Sequence, residues 1–350
     1  MKAEKNFGRA NISIRCAEVE KEYRPYLKKA PNEMDGIKIC PLSIHINNWE
    51  YWEKNQQSWN SIFQKMDDFM VRTVFDNYKI DDNNWLFFQT GDCYATLPSL
   101  KKFLVLKESS TVGDLGMYYH AEKLDTKPIE KCEYLLGFQG DGQNHPIRKE
   151  MIRILSNRKD SNIVDNNIYY YYANKNTSIE LKKSFEQKMN DCAFILCPRG
   201  SGIATKRFFE TLAAGRIPIL ISDHYELPLR KYIDYSKFVV RLPENDMKNI
   251  DNYLKKIDIK EASKLARQTH QDYFSDIKKF LEYSISMSKS KNDLDPQPSK
   301  QRNSAFQFLK NLFISKIPFS KNSLIDNHGS LKDQEKFIVK KLKRQTKALL

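Results

Sequence analysis

Apolar positions along the 350 residues fall into short continuous runs separated by stretches of helical spacing. After an opening that mixes charges with short apolar patches, ICPLSIHI (39–46) predicts a first buried strand. Residues 49–78 carry Trp52, Trp59, Phe63, Met66, Met70 and Val74 at helical spacing and predict one or two helices. The Asp81 to Asn84 run predicts a turn, WLFFQ (85–89) a second strand leading into TGDC, and KKFLVLK (101–107) a third. Strand and helix alternate through this half, the mark of an α/β layer.

A second series begins at EYLLGFQG (133–140), followed by the polar loop DGQNHP and a helix IRKEMIRIL (147–155). IYYYY (168–172) predicts a strand, LKKSFEQKMND (181–191) a helix, and AFILC (193–197), RIPILIS (216–222) and FVVRL (238–242) three more strands. Strands separated by helices imply a parallel sheet with crossover connections. Residues 248–285 read as helical throughout, and KSKNDLDPQPSKQR (289–302) is a polar linker. Beyond it, AFQFLKNLFISKI has apolar residues at 306, 309, 313 and 317, and Pro318 ends the pattern. There is no internal repeat.

Composition changes this picture in three places. The net charge is +14, but residues 286–350 hold 14 Lys/Arg against 5 Asp/Glu, so +9 belongs to the tail and +5 to the first 285 residues. The six cysteines form no CxxC pair, which fits reduced thiols better than a disulfide frame or a zinc site. No run approaches the roughly 18 apolar residues of a membrane span, and MKAEKNFGRANISIR has no apolar signal core. A cytoplasmic protein is therefore the expectation.

The stretch LCPRGSGIATKRFFE (196–210) carries the candidate chemistry. Ligands of a parallel α/β sheet bind at the carboxyl ends of its strands, where loops lead into helix N-termini. Gly200, Ser201, Gly202 and Ala204 let backbone approach an anion, and the helix dipole attracts phosphate. Arg199 and Arg207 offer charged forks for a diphosphate. Glu210 shares a helix face with Arg207 and is suited to accept hydrogen bonds from a ribose diol. An ordinary Arg207–Glu210 salt bridge is the alternative at this spacing.

FILCPRGSGIATKRFFETLAAGRIPILISDHYELPL (194–229) resembles the signature of the exostosin-type glycosyltransferases: a PRG loop, an R-F-x-E helix, A-G-x-I-P and S-D-x-Y-E-L-P in that order. LLGFQG…HPIRKEM (135–151) is similar to the opening of the family's donor-binding half, and before residue 130 the similarity is loose. The resemblance implies a GT-B fold of the α/β class, with two Rossmann-like domains facing a cleft. An acceptor-side domain would span 1–130, a donor-binding domain with closing helices 131–285, and a linker with a basic amphipathic tail 286–350.

It further implies a nucleotide-sugar donor, usually a UDP-sugar, transfer with inversion, and no metal or other cofactor. Arg207 and Arg148 would contact the diphosphate with Arg199, Gly200 and Ser201 beside them, Glu210 the ribose, and the Asp223 to Glu226 loop the donor sugar or base. Arg216 departs from the family, which has a small residue or Cys there, and its place near a strand start suggests a solvent-exposed variant. The clearest Asp-x-Asp, Asp293 to Asp295, falls in the polar linker, a poor place for a catalytic metal.

Direct displacement needs a base for the acceptor hydroxyl. Asp92, at a strand end in FFQTGDCY, is the preferred candidate, with His120 and His145 behind it. An Asp capping the next element, and a His that opens a helix, are the structural alternatives.

The tail suggests a peripheral anchor: residues 303–350 pair an apolar face with Lys/Arg that anionic lipid attracts, which suits an enzyme extending a glycan or lipid-linked glycan on the inner face of a membrane. Docking on the protein's own body is the alternative. A nucleic-acid binder is disfavoured, because most of the aromatics lie before residue 288 and most of the net charge after it. The expectation is an inverting transferase that builds a bacterial surface polysaccharide, with a GDP-sugar as the competing donor.

Overall fold

A computed structural model describes residues 2–7, 10–15, 28, 30–47, 56–93, 95–168 and 175–289. The predicted IYYYY strand beyond Ile168, the Asp-x-Asp of the linker and the whole amphipathic basic tail lie outside these residues.

The first half is built on a mixed sheet of seven strands: β1 (Lys2–Phe7), β2 (Ala10–Arg15), β3 (Glu33–Met34), β4 (Ile37–Asn47), β5 (Trp85–Thr90), β6 (Leu104–Lys107) and β7 (Leu115–Gly116). The order is β1-β2-β4-β5-β6-β7, with β3 beside β4. From β4 to β7 all pairs are parallel, whereas β1, β2 and β3 join antiparallel. Sequence reading places no strand before ICPLSIHI, because KAEKNF has no apolar run. In ANISIR the alternation is real: Ile12 and Ile14 are buried together with Cys40, Leu42, Ile44 and Ile46 of β4.

That face packs on helix α1 (Gln56–Met70) through Met66 and Met70, and on the π turn Val71–Phe75 that continues it, through Val74. The rings of Phe75, Phe87 and Phe103 close this core at centroid separations of 5.0–5.7 Å. Pro41 interrupts β4 where its register against β5 shifts, between Ile39 and Ser43, as expected of a residue with no N–H to give.

The second half carries a five-stranded, wholly parallel sheet of β8 (Tyr134–Gly140), β9 (Ser161–Asp165), β10 (Cys192–Pro198), β11 (Ile217–Ile221) and β12 (Val240–Arg241) in the order β12-β11-β10-β8-β9. Helices α2 (Pro146–Leu155), α3 (Lys175–Asp191) and α4 (Lys206–Ala213) are the crossovers, followed by α5 (Ile250–Leu254), α6 (Ile259–Thr269) and α7 (Ile277–Lys289). Every residue of β10 and β11 is buried, as a parallel strand covered on both faces requires.

The larger core spans both sheets. Ile39, Leu86, Phe88 and Leu106 of the first sheet join the apolar residues of the second half in one cluster. Tyr118, in the segment between the sheets, packs edge-on to Phe280 of α7 at 4.7 Å, and α7 ends with Lys289 3.4 Å from Asp35 in the β3–β4 turn.

Arg216 corrects an expectation. It is 1% exposed rather than on the surface. Its Nε donates to Met189 O (2.6 Å), and Nη2 to Lys127 O (2.7 Å) and Asn190 O (3.2 Å). Met189 and Asn190 lie in the last turn of α3, whose final carbonyls lack helical partners and favour a cation. The arginine thus ties the end of α3 to the inter-sheet segment.

Candidate active site

Strand order creates the site. From β8 the chain crosses to β9 on one side and then returns to β10 on the other, so the loops leaving β8 and β10 diverge and open a crevice at their carboxyl ends. Arg148, in the first turn of α2, bridges this crevice. Its Nε donates to Arg199 O (2.8 Å), Nη1 to Asp141 O (3.3 Å) and Nη2 to Pro198 O (3.4 Å). Asn144 Oδ1 accepts from both the amide and the hydroxyl of Ser201, at 3.0 and 3.1 Å. Gly200 fits beneath them, since a Cβ there would lie 3.1 Å from Asn144 Oδ1 and 3.4 Å from Arg148 Nη2.

Arg207 sits on the β8 side. Its guanidinium lies over Phe138 (4.6 Å) and Phe185 (5.7 Å), Nη2 donates to Gln139 O (2.5 Å), and the buried Nε has no partner among the described residues. A Cβ on Gly140 would come within 2.7 Å of Nη2, so glycine makes room for this arrangement. Glu210 is partly buried and pairs with Lys206 at 3.9 Å, while Arg207 turns onto the rings instead. Thr205, the N-cap of α4, makes no side-chain cap, which leaves first-turn amides to meet a ligand.

Arg199 is the central cation and is 8% exposed. Nε and Nη2 return to Gly200 O (3.4 Å) and Ser201 O (3.3 Å), and Nη1 lies 4.0 Å from Glu244 Oε1. Glu244, just past β12, exchanges bonds with Asp223, just past β11: Asp223 N donates to Glu244 Oε1 (3.3 Å) and Glu244 N to Asp223 Oδ1 (3.0 Å). Burial raises the Glu244 carboxyl above its usual range, against the pull of Arg199. His224 beside them is lowered, first by burial.

Asp92 comes to this loop from the other sheet. A Cβ on Gly202 would lie 2.8 Å from Asp92 Oδ1 and 3.3 Å from Ser109 Oγ. The carboxylate makes no hydrogen bond among the described residues, and burial pushes its pKa up to about 6, opposed by Arg199. Its turn is held firmly: Gly91 N donates to Glu108 Oε2 (2.6 Å), Ser109 Oγ donates to Gly91 O (2.9 Å), and Tyr119 also bonds Glu108. Glu226 pairs with Arg230 (3.1 Å), and its backbone is joined to Ser110 by two bonds of 2.7 and 3.0 Å, so the 223–226 loop leans on the first half.

The other two base candidates are placed differently from Asp92. His145 caps α2, its Nδ1 accepting from Ile147 N at 3.2 Å. His120 belongs to the inter-sheet segment, near enough to His270 to lower its pKa. Asn144, Glu244 and Glu108 were not singled out by sequence reading. Glu108 and Glu244 follow strand ends, so the carboxyl-end rule applied to every strand would have marked them, but nothing local marks Asn144 as a partner of Ser201.

Three arginines and an open helix end gather at the switch point, and the Asp92 carboxylate, its pKa raised by burial, lies against the same loop. Among the described residues no group of His, Cys, Asp and Glu gathers as a metal cluster, and no helix is long and apolar enough to cross a membrane.

The Exostosin GT47 domain matches residues 40–257. An Exostosin-1 homolog of Caenorhabditis elegans is 25% identical over 308 residues, covering 78% of this chain and 80% of the worm protein. Exostosin-1c of Danio rerio is 29% identical over 100 residues, and Exostosin-1 of Bos taurus 28% over 109; each match covers 14% of the relative's length.

Proposed function

The chain belongs to the exostosin GT47 family of glycosyltransferases, and on that premise we propose that it transfers a sugar from a UDP-sugar to a glycan acceptor with inversion. In this reading the two sheets are the halves of a GT-B architecture, divided near residues 130 and 285, and the two carboxyl edges face a common cleft. The observation that carries it is Asp92 of one half lying against Gly202 in the anion-binding loop of the other.

The donor diphosphate then occupies the crevice between the β8 and β10 loops, against Arg207 and the first turn of α4, with Arg148 and Arg199 holding the loop and adding positive charge. Glu210 accepts from the ribose hydroxyls. The Asp223 to Glu226 loop, braced by Glu244, borders the sugar. Asp92 takes the proton of the acceptor hydroxyl as its oxygen bonds to the anomeric carbon. The bond to the diphosphate breaks, and its electron pair leaves on the phosphate oxygen. As the resemblance implies, arginines and the helix dipole neutralise that charge in place of a metal.

The basic tail at 303–350 would hold such an enzyme on anionic lipid, with no nucleic acid among its partners. The matched relatives are animal proteins, so the bacterial-surface assignment has composition alone behind it. Calorimetry with UDP, GDP and their sugars, in EDTA, tests the reading on wild type and Glu210→Ala. Tight UDP binding that weakens about tenfold or more in the variant is expected. A wild type that binds no nucleotide would remove the transferase reading, and preference for GDP would change the donor.

A further inference from the structure

The two ring nitrogens of His145 have unlike surroundings. The Ile147 amide lies 3.2 Å from Nδ1, and an amide N–H can only donate, so Nδ1 presents its lone pair. The hydrogen of the neutral ring is therefore on Nε2. That nitrogen is buried and has no hydrogen-bond partner among the described residues. A sealed donor without an acceptor is uncommon in a folded protein and calls for a water or a ligand.

Its neighbours say which ligand. His145 opens α2 at the switch-point crevice, next to Asn144, whose side chain holds Ser201. The charges of Arg199 and Arg148 both act on the ring, and with burial as the largest cause they hold its pKa down to about 2. A ring in this state cannot serve as a base: Nδ1 is engaged and Nε2 already carries hydrogen. Two guanidinium groups and a neutral N–H donor suit an anion. A neutral imidazole at a helix N-terminus is a known hydrogen-bond donor to developing negative charge.

We propose that His145 donates its Nε2–H to a phosphate oxygen of the donor diphosphate and keeps that hydrogen as the sugar–phosphate bond breaks. The proposal rests on the nucleotide-sugar reading above. It removes His145 from the candidates for proton acceptor and leaves that task to Asp92.

The test uses the full chain and inorganic pyrophosphate, UDP and uridine as probes, in EDTA. His145→Asn retains an oxygen that can cap Ile147 N and removes the Nε2 donor. Pyrophosphate and UDP should bind the variant roughly 10- to 100-fold more weakly, with uridine unchanged. The six histidines also permit nitrogen-15 spectra of the wild type, with His145 assigned by its absence in the variant or by selective labelling. His145 should remain neutral from pH 5 to 8 with hydrogen on Nε2, and its signal should move on adding pyrophosphate.

Equal pyrophosphate affinity in wild type and variant would overturn the proposal, as would a His145 that titrates in that range or ignores pyrophosphate. Should the variant fold poorly, the wild-type spectra decide alone. A wild type that binds neither UDP nor pyrophosphate would instead sink the transferase reading, which separates the two failures.

Discussion

Asp92 and Gly202, one from each sheet, are in contact, and the contact exists because Gly202 has no side chain. A Cβ there would stand 2.8 Å from Asp92 Oδ1, closer than carbon and oxygen approach without displacement. Glu108 and Ser109 pin the neighbouring Gly91, but no hydrogen bond among the described residues holds the Asp92 carboxylate, so the carboxylate is the group that would shift. Gly202→Ala should therefore lower turnover about 10- to 100-fold through misplacement of the base. Unchanged turnover would show that this contact does not set the position of Asp92.

Removing the proton acceptor itself is a sharper test. Asp92→Asn should reduce transfer about 100-fold or more with donor binding retained. In the wild type the carboxylate must be ionised to work, and burial raises its pKa to about 6. Turnover should rise with pH through about 6 and level off above it. A rate that is flat from pH 5 to 7, measured with saturating donor, would assign the base elsewhere.

Arg216 makes a prediction about stability. Arg216→Met keeps the bulk but leaves the carbonyls of Met189, Asn190 and Lys127 without their donor. Each unmatched buried group costs about 1–3 kcal/mol, so a loss of roughly 3–5 kcal/mol is expected in denaturant unfolding. Nucleotide affinity of the folded fraction should be unchanged, since the residue lies at the far end of α3 from the crevice. A neutral substitution would mean that water replaces the arginine at these carbonyls.

Acid should weaken the fold early. Burial lowers His45 to about 3, His145 to about 2 and His270 to about 4, all below the usual 6.5. As pH falls through about 6.5 the unfolded chain binds protons that these folded histidines refuse, so stability falls. Asp92 acts with the opposite sign: raised to about 6, it binds its proton in the folded state first and adds stability as pH falls from about 6 to 4. Asp92→Asn should then show a steeper acid loss than wild type. Unfolding free energies that do not change from pH 6.5 to 4.5 would contradict the histidine assignment, and equal acid profiles for wild type and Asp92→Asn would contradict that of Asp92.

What the amino-acid sequence determined is the local grammar. β10 is a continuous apolar run between helices, so its central place in a parallel sheet and the position of the PRG loop at its carboxyl end were legible. So was the shared helix face of Arg207 and Glu210, which helical pitch sets, although Glu210 pairs with Lys206 and Arg207 turns onto Phe138. The charged alternation of β1 hid a strand, because an edge strand need not be apolar.

Tertiary structure alone decided which distant groups meet. Whether Asp92 reaches Gly202, Glu244 reaches Arg199, or Asn144 holds Ser201 depends on strand order and on how two sheets share one core. Arg216 is the clearest case. By periodicity it reads as a charge at a strand start, yet three carbonyls from two remote segments converge on it and take it inside. Local pattern records how a segment prefers to fold and which face is apolar; partners far apart in the chain are chosen by packing, which no local period encodes.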